Sequence, residues 1–436
     1  MIYENNFFFM NKVAHLSNRP FGNRCWRVIS ASVVMLHLLL AFPFSSYAQR
    51  YFTFDNPRVN QVTVPFQFHR NLIILETYVN QKGPFNFMLD TGISISLIID
   101  PTLRDTLQIK EGRTVKVVGA GEDDELEALI ATGLEMSFGG VTGRNLTVAV
   151  LSEDVLSLSN YLGFPIHGIL GYDLMSSFVA EINFVEHQLI LRHPDKFRLK
   201  RKDKPIPITL EHQKPYIVAK GVLNDSTSMP LKLVIDTGAG HGLSLEIGSD
   251  PAIQLPDKTL EAQLGRGLGG IINGHLGRIQ RLTIDNYQLR NVITSYPDHG
   301  HVMAKLEQVH RHGNLGNEVL KRFRVVFDYH RTRIILRPNR FYREPFEHDM
   351  VGAHLMADGK DYRRYFIYRV EPGSPAELAG LQAGDEILSI NLLPVTQMPI
   401  TQIDRLFRSK DKQVLFLRIN RKGENLFTLL TLHRRI

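Results

Sequence analysis

The chain has 436 residues and is 43% hydrophobic, which is too long for one ordinary domain and too apolar for a disordered or collagen-like protein; two to four packed domains are expected. Its formal charge of +7 includes +3 from residues 1–48, where Lys12, Arg19, Arg24 and Arg27 outweigh Glu4. The +4 left for the remainder is too small an excess to argue for a nucleic-acid partner.

The N-terminus is ordered like an export signal. Basic residues end at Arg27, the apolar run "VISASVVMLHLLLAF" follows over 28–42, and small residues stand at Ser46 and Ala48. This order predicts a signal peptide over 1–48, cut after Ala48, with Met10 an alternative start. The apolar core is shorter than the ~20 residues a spanning helix needs, so a membrane is a partner only if the signal stays uncleaved. The one cysteine, Cys25, precedes that core. The mature chain would be cysteine-free, which points to a bacterial periplasm or envelope rather than a disulfide-rich secreted setting.

Beyond residue 55 the chain repeats itself. "NLIILETYVN" (71–80) leads through a turn to "FNFMLDTGISIS", and "PYIVAKGVLN" (215–224) leads to "LKLVIDTGAGHG". Each half reads as strand, turn, strand and then Asp-Thr-Gly, with Pro84 and Pro230 six residues before Asp90 and Asp236. Farther on, "HGILGYDLMSSF" (167–178) matches "HGNLGNEVLKRF" (312–323), each with a short helix expected after Leu-Gly. Asp to the last aligned Gly spans 81 residues in one half and 80 in the other. A duplicated, mainly β module follows, with lobes at 55–194 and 206–340 joined by a charged surface linker at 195–205.

The residue types suit one chemistry. A carboxylate at the end of a buried strand is held rigidly. The next Thr can hydrogen-bond backbone across an interface, and the Gly lets another backbone approach. Two such loops brought together make a pair of carboxyls that shares one proton, able to activate water and protonate a carbonyl. These motifs resemble the pepsin-like and retropepsin-like aspartic proteases. "LDTGIS" and "IDTGAG" are similar to the family's catalytic loops, and "GILG" and "GNLG" to its apolar-apolar-Gly element.

The resemblance implies a bilobal pseudo-twofold β fold over about 55–340. It implies Asp90 and Asp236 as catalytic residues and Thr91, Gly92, Thr237 and Gly238 as their support. It implies no cofactor or metal and a peptide or protein substrate. It also implies β-hairpin flaps, with candidates at 117–130 and 264–279. Most members carry Ser, Thr or Ala after Asp-Thr-Gly. Here Ile93 and Ala239 offer no hydroxyl, which should raise the carboxyl pKa and extend activity to less acidic pH. Ser94 is the nearby hydroxyl that could compensate.

From about 345 to 435 the chain resembles a PDZ domain, chiefly in "EPGSPAELAGLQAGDEILSIN" (371–391), with a short helix over Pro375 to Ala379 and another over 400–409. The resemblance places a carboxylate-binding loop at "VGAHL", with Gly352, Ala353, His354 and Leu355 as peptide-binding residues. The histidines His299, His301, His310 and His312 lack an ordered ligand spacing, so no metal is expected. His312 aligns with His167 of the repeat. Two other readings compete with the protease: a peptide-binding protein on a weakened protease scaffold, and an actin-like ATPase, disfavoured because no adenosine-binding element is evident.

Overall fold

The computed structural model describes residues 51–109, 112–117, 126–298 and 310–436. The segment expected to be a signal peptide, 1–48, His299 and His301 lie outside the described residues, as does the tip of the first flap candidate, 118–125. Among the described residues no helix is long and apolar enough to cross a membrane.

Among the described residues the protein is mainly β, in four sheets. A nine-stranded sheet holds the first Asp-Thr-Gly and an eight-stranded sheet the second. The expected hairpins are Leu72–Val79 with Lys82–Leu89, and Lys214–Val222 with Ser228–Ile235. Both first strands alternate buried and exposed residues along much of their length, as a strand with one packed face must. In both sheets the strand before Asp-Thr-Gly pairs in parallel with the Leu-Gly element. Leu170 lies opposite Leu89, and Leu315 opposite Ile235. His167 and His312 occupy matching places, Nδ1 accepting from the N–H of Asn86 at 3.1 Å and of Lys232 at 2.8 Å. The helices after Leu-Gly are short, Tyr172–Ser177 and Asn317–Leu320.

A six-stranded sheet joins the halves through its centre, where Val179–Asn183 pairs with Phe323–Asp328. One continuous core runs from Phe52 to Phe346 and draws on both Asp-bearing sheets. The segment expected to be a charged surface linker, 195–205, runs largely exposed along this joining sheet, anchored by Phe197 and Asp203. Phe197 is buried with Val179, Val326 and Ile335. Asp203 takes both arms of the Arg337 guanidinium, at 2.7 and 2.9 Å, and Pro205–Pro207 pairs with Arg333–Pro338. The lysines around these anchors, Lys196, Lys200, Lys202 and Lys204, stay exposed.

The C-terminal region has its own core, from Met350 to Leu432. Its sheet runs Ala353–Asp358, Arg364–Val370, Glu386–Ile390, Val414–Arg421 and Glu424–Thr431, so Ala353–Asp358 is an edge strand. Ser374 caps the short helix Pro375–Leu378 through the N–H of Glu377. A second helix, Ile400–Phe407, packs Ile400, Ile403 and Phe407 into the same core as Leu355 and Ala357 of the edge strand.

Candidate active site

Parallel pairing sets each aspartate at the mouth of its sheet. Asp90 N–H donates to the Leu170 carbonyl and Asp236 N–H to that of Leu315, both at 2.9 Å. The threonines then lock the two loops together. Thr91 Oγ1 donates to the Ile235 carbonyl at 2.6 Å, and Thr237 Oγ1 to the Leu89 carbonyl at 3.0 Å. Each hydroxyl also accepts the other threonine's N–H at 3.0 Å. All four bonds are buried and cross from one sheet to the other, so neither loop can shift alone. The glycines interleave with the opposing carboxyls: Gly238 lies against Asp90, and Gly92 against Asp236.

The two carboxyl groups face each other across Gly92, where a Cβ would lie 3.0 Å from Asp90 Oδ1 and 3.1 Å from Asp236 Oδ1. Asp90 is 8% exposed and Asp236 half-buried. Burial first, and the charge of Asp236 second, push the Asp90 carboxyl well above the usual carboxylate range, against the pull of the Gly92 N–H. The surroundings of the two are unequal. Asp90 Oδ1 accepts from Gly92 N–H at 2.6 Å. Asp236 Oδ1 accepts from Gly238 N–H at 3.0 Å, and its Oδ2 accepts a further bond from Asn314 Nδ2 at 2.9 Å. Asn314 stands where the first half has Ile169, so the asymmetry is written into the mismatch between "GNLG" and "GILG". A donor aimed at one carboxylate favours its charged form. Asp90, held well above the usual carboxylate range, is therefore the site for the pair's proton.

Further side chains brace the second loop. Buried Asn317 donates to the Thr237 carbonyl at 2.6 Å and to that of Asn71 at 2.7 Å. Asn71 in turn donates to the Gly240 carbonyl at 2.9 Å and to Glu318 at 2.8 Å. His241 is kept neutral by burial, although the Asp236 charge pulls the other way. Lys214 feels both dyad charges, while burial and Arg311 lower its pKa. None of these five is visible in a search for paired motifs, because each acts from one half only. Ser94, the hydroxyl expected to compensate for Ile93, instead donates to the His212 carbonyl at 2.8 Å. Ile93 itself packs against Gly171.

Hairpins stand at both flap positions. Arg113–Val117 pairs with Leu126–Phe138, and Leu260–Gly267 with Gly270–Ile284. Among the described residues no cluster of His, Cys, Asp or Glu is arranged to hold a metal; His310 and His312 meet edge to face at 5.2 Å.

At the PDZ loop the residues expected to bind a peptide terminus have internal partners. Gly352 has φ 74° and donates its N–H to Asp349 Oδ2 at 2.5 Å, while Val351 N–H takes Oδ1 at 3.2 Å. His354 pairs with Glu371 at 2.7 Å, and Ala353 and Leu355 belong to the core. A carboxylate ligand at this loop would have to displace Asp349.

Comparison with known proteins agrees with the two-part reading. Residues 75–174 match the aspartyl protease family model and residues 366–421 the PDZ domain model. The chain thus carries an aspartyl protease segment and a PDZ domain; the first match contains Asp90 and ends before Asp236. Mouse Na(+)/H(+) exchange regulatory cofactor NHE-RF2 is 36% identical over 73 residues, 17% of this chain and 21% of that protein. Human Tax1-binding protein 3 is 30% identical over 67 residues, 15% of this chain and 54% of its own. The chain therefore spans between about a fifth and about half of these relatives' length. Among solved structures, a photosystem II D1 C-terminal processing protease aligns at 22% identity, TM-score 0.19, over 20% of this chain and 23% of its own. An HtrA3 PDZ domain bound to a phage-derived ligand aligns at 17% identity, TM-score 0.18, over 20% of this chain and 86% of its own.

Proposed function

We propose that this protein is an exported aspartic endopeptidase whose PDZ domain binds peptide or protein partners, recruiting or positioning substrates. The observation that supports it is the contact between Asp90 and Asp236 across the interlocked threonines. In this reading the halves are copies of one module and their hairpins close over the substrate. Asp236, with its two donors, holds the negative charge and takes a proton from water as the water oxygen attacks the scissile carbonyl carbon. Asp90 gives its proton to the carbonyl oxygen. The resulting diol then collapses, giving a hydroxyl proton back to Asp90 as the C–N bond breaks, while the amine nitrogen takes the proton that Asp236 received from water. No covalent intermediate is needed.

Digestion of a diverse peptide library by the purified protein tests this. Cut products are expected, at a pH extending above about 4, because the buried Asp90 keeps its proton there. Failure to cut any peptide, with partner binding retained, would favour the peptide-binding scaffold instead; Ile93 after the first Asp-Thr-Gly supports that second reading. The donor at Asp236 gives a sharper check. Asn314→Ala makes the singly ionised pair harder to form, so the acidic limb of kcat/KM moves to higher pH. Activity on that limb should fall about tenfold, the worth of one hydrogen bond to a charged group. An unmoved limb would mean that Asn314 does not tune the pair.

Residues 1–48 remain our proposed export signal, with a bacterial periplasm or envelope as destination. A mature N-terminus at Gln49 is the expected result of sequencing the exported protein, and retention of residues 1–48 would contradict it.

A further inference from the structure

The edge strand Ala353–Asp358 and the helix Ile400–Phe407 form the two walls of a groove, and one guanidinium touches both. Arg70 sits in a two-residue turn, with φ 48° at Arg70 and 63° at Asn71, between Gln67–His69 and Leu72–Val79. Its Nε and Nη2 grip Asp404 of the helix at 2.7 and 2.9 Å. Its Nη1 donates to the Leu355 carbonyl of the edge strand at 3.2 Å, and to that of Tyr161 at 2.6 Å. Two residues along the strand, the Ala357 carbonyl accepts from Asn160 Nδ2 at 2.9 Å. Gly163 lies against Ile400 and Ala357. The Arg70 side chain is 9% exposed and that of Asp404 24%.

Leu355 and Ala357 are on the same side of the strand, since residues two apart point alike. Their carbonyls are the groups that a peptide adding to this edge would use. Both already accept hydrogen bonds from the protease part of the same chain. We propose that this groove takes an extended peptide with an arginine or lysine opposite Asp404, and that Arg70 and the 158–163 segment are its built-in competitor. This rests on the reading of the PDZ domain as a peptide binder.

The choice of a basic residue follows from what departure of Arg70 leaves behind. Asp404 would remain as a carboxylate in a partly enclosed site without its bidentate partner, which is costly. A peptide restores the balance only if its backbone supplies N–H groups to Leu355 and Ala357 and a side chain supplies a cation to Asp404. A peptide with an acidic residue there places like charges together and is rejected. Arg70 thus stands in for the side chain of the ligand.

The test uses the full chain and an array of synthetic decapeptides with free C-termini, carrying a basic, neutral or acidic residue at each position. Hydrogen exchange at residues 353–358 reports opening of the groove. Arg70→Ala is expected to speed that exchange and to tighten binding of the basic peptides about tenfold or more, as loss of a charge-assisted bidentate competitor requires. Arg70→Lys, which keeps the charge but loses the fork, should do the same more weakly. Adding Asp404→Lys to Arg70→Ala should turn the preference towards acidic peptides. Unchanged exchange with unchanged affinity in both Arg70 variants would overturn the closure. Faster exchange with equal binding of basic and acidic peptides would overturn the selectivity. Faster exchange with no peptide bound would overturn the peptide-binding reading of the domain, and the proposal with it.

Discussion

Asp90→Asn is expected to abolish peptide cleavage, by at least about 10³-fold, while making the folded protein more stable near neutral pH. The first effect follows because an amide cannot deliver the proton that Asp90 carries to the carbonyl. The second follows from the direction in which burial and the neighbouring carboxylate move Asp90. Its carboxyl lies well above the usual range in the folded protein. A group of this kind contributes stability that is fully present below the unfolded carboxyl pKa and is lost as pH rises through the folded value. Asparagine does not ionise and escapes that loss. The melting temperatures of the two proteins should therefore be closest below about pH 4 and diverge above it, the variant being higher. Calorimetry across that range, beside a cleavage assay, checks both. Parallel curves would mean that the Asp90 carboxyl is not held up by its site. Asp236→Asn should be equally inactive, and full cleavage by either variant would remove the dyad from the mechanism.

Gly238→Ala is expected to lower kcat about 100-fold, because a misplacement of about 1 Å in a reacting group costs that much. The two Asp-Thr-Gly glycines look equivalent in sequence but differ in the room around them. A methyl group on Gly238 would overlap the carboxyl of Asp90. One on Gly92 would sit 3.0 Å from Asp90 Oδ1 and 3.1 Å from Asp236 Oδ1, which shifts of a few tenths of an ångström absorb. Gly92→Ala should accordingly lose about tenfold or less. Each alanine keeps the N–H that bonds its own aspartate, so the comparison isolates the steric term. Steady-state kinetics of both variants decide it, and a larger loss in Gly92→Ala would contradict the geometry.

The pairing of Asp90 with Asp236 was legible because duplication of a motif at matched spacing is a strong signal. Strand, turn, strand, Asp-Thr-Gly and Leu-Gly each have local chemistry that a single stretch reveals. The threonines were legible for the same reason, since a hydroxyl beside a carboxylate at a strand end has few other uses. Asn314 was half-legible: aligning the two halves exposes an asparagine opposite Ile169, but not that its amide reaches Asp236. Ser94 was misread, because the sequence places it near Asp90 while the fold turns its hydroxyl to the His212 carbonyl. The charge of the 195–205 segment was legible as surface, but its anchors at Phe197 and Asp203 were not, because both contacts are made to distant strands.

The sequence by itself thus determined the fold class, that two Asp-Thr-Gly strand ends would meet, and the separate C-terminal domain, since alternation, turn chemistry and repeats are local properties. Only the tertiary structure decided which carboxyl carries the proton, which glycine has no room to spare, and that Arg70 reaches 334 positions along the chain to Asp404. Those are contacts between distant segments, and nothing in the residues flanking Arg70 encodes the groove it fills.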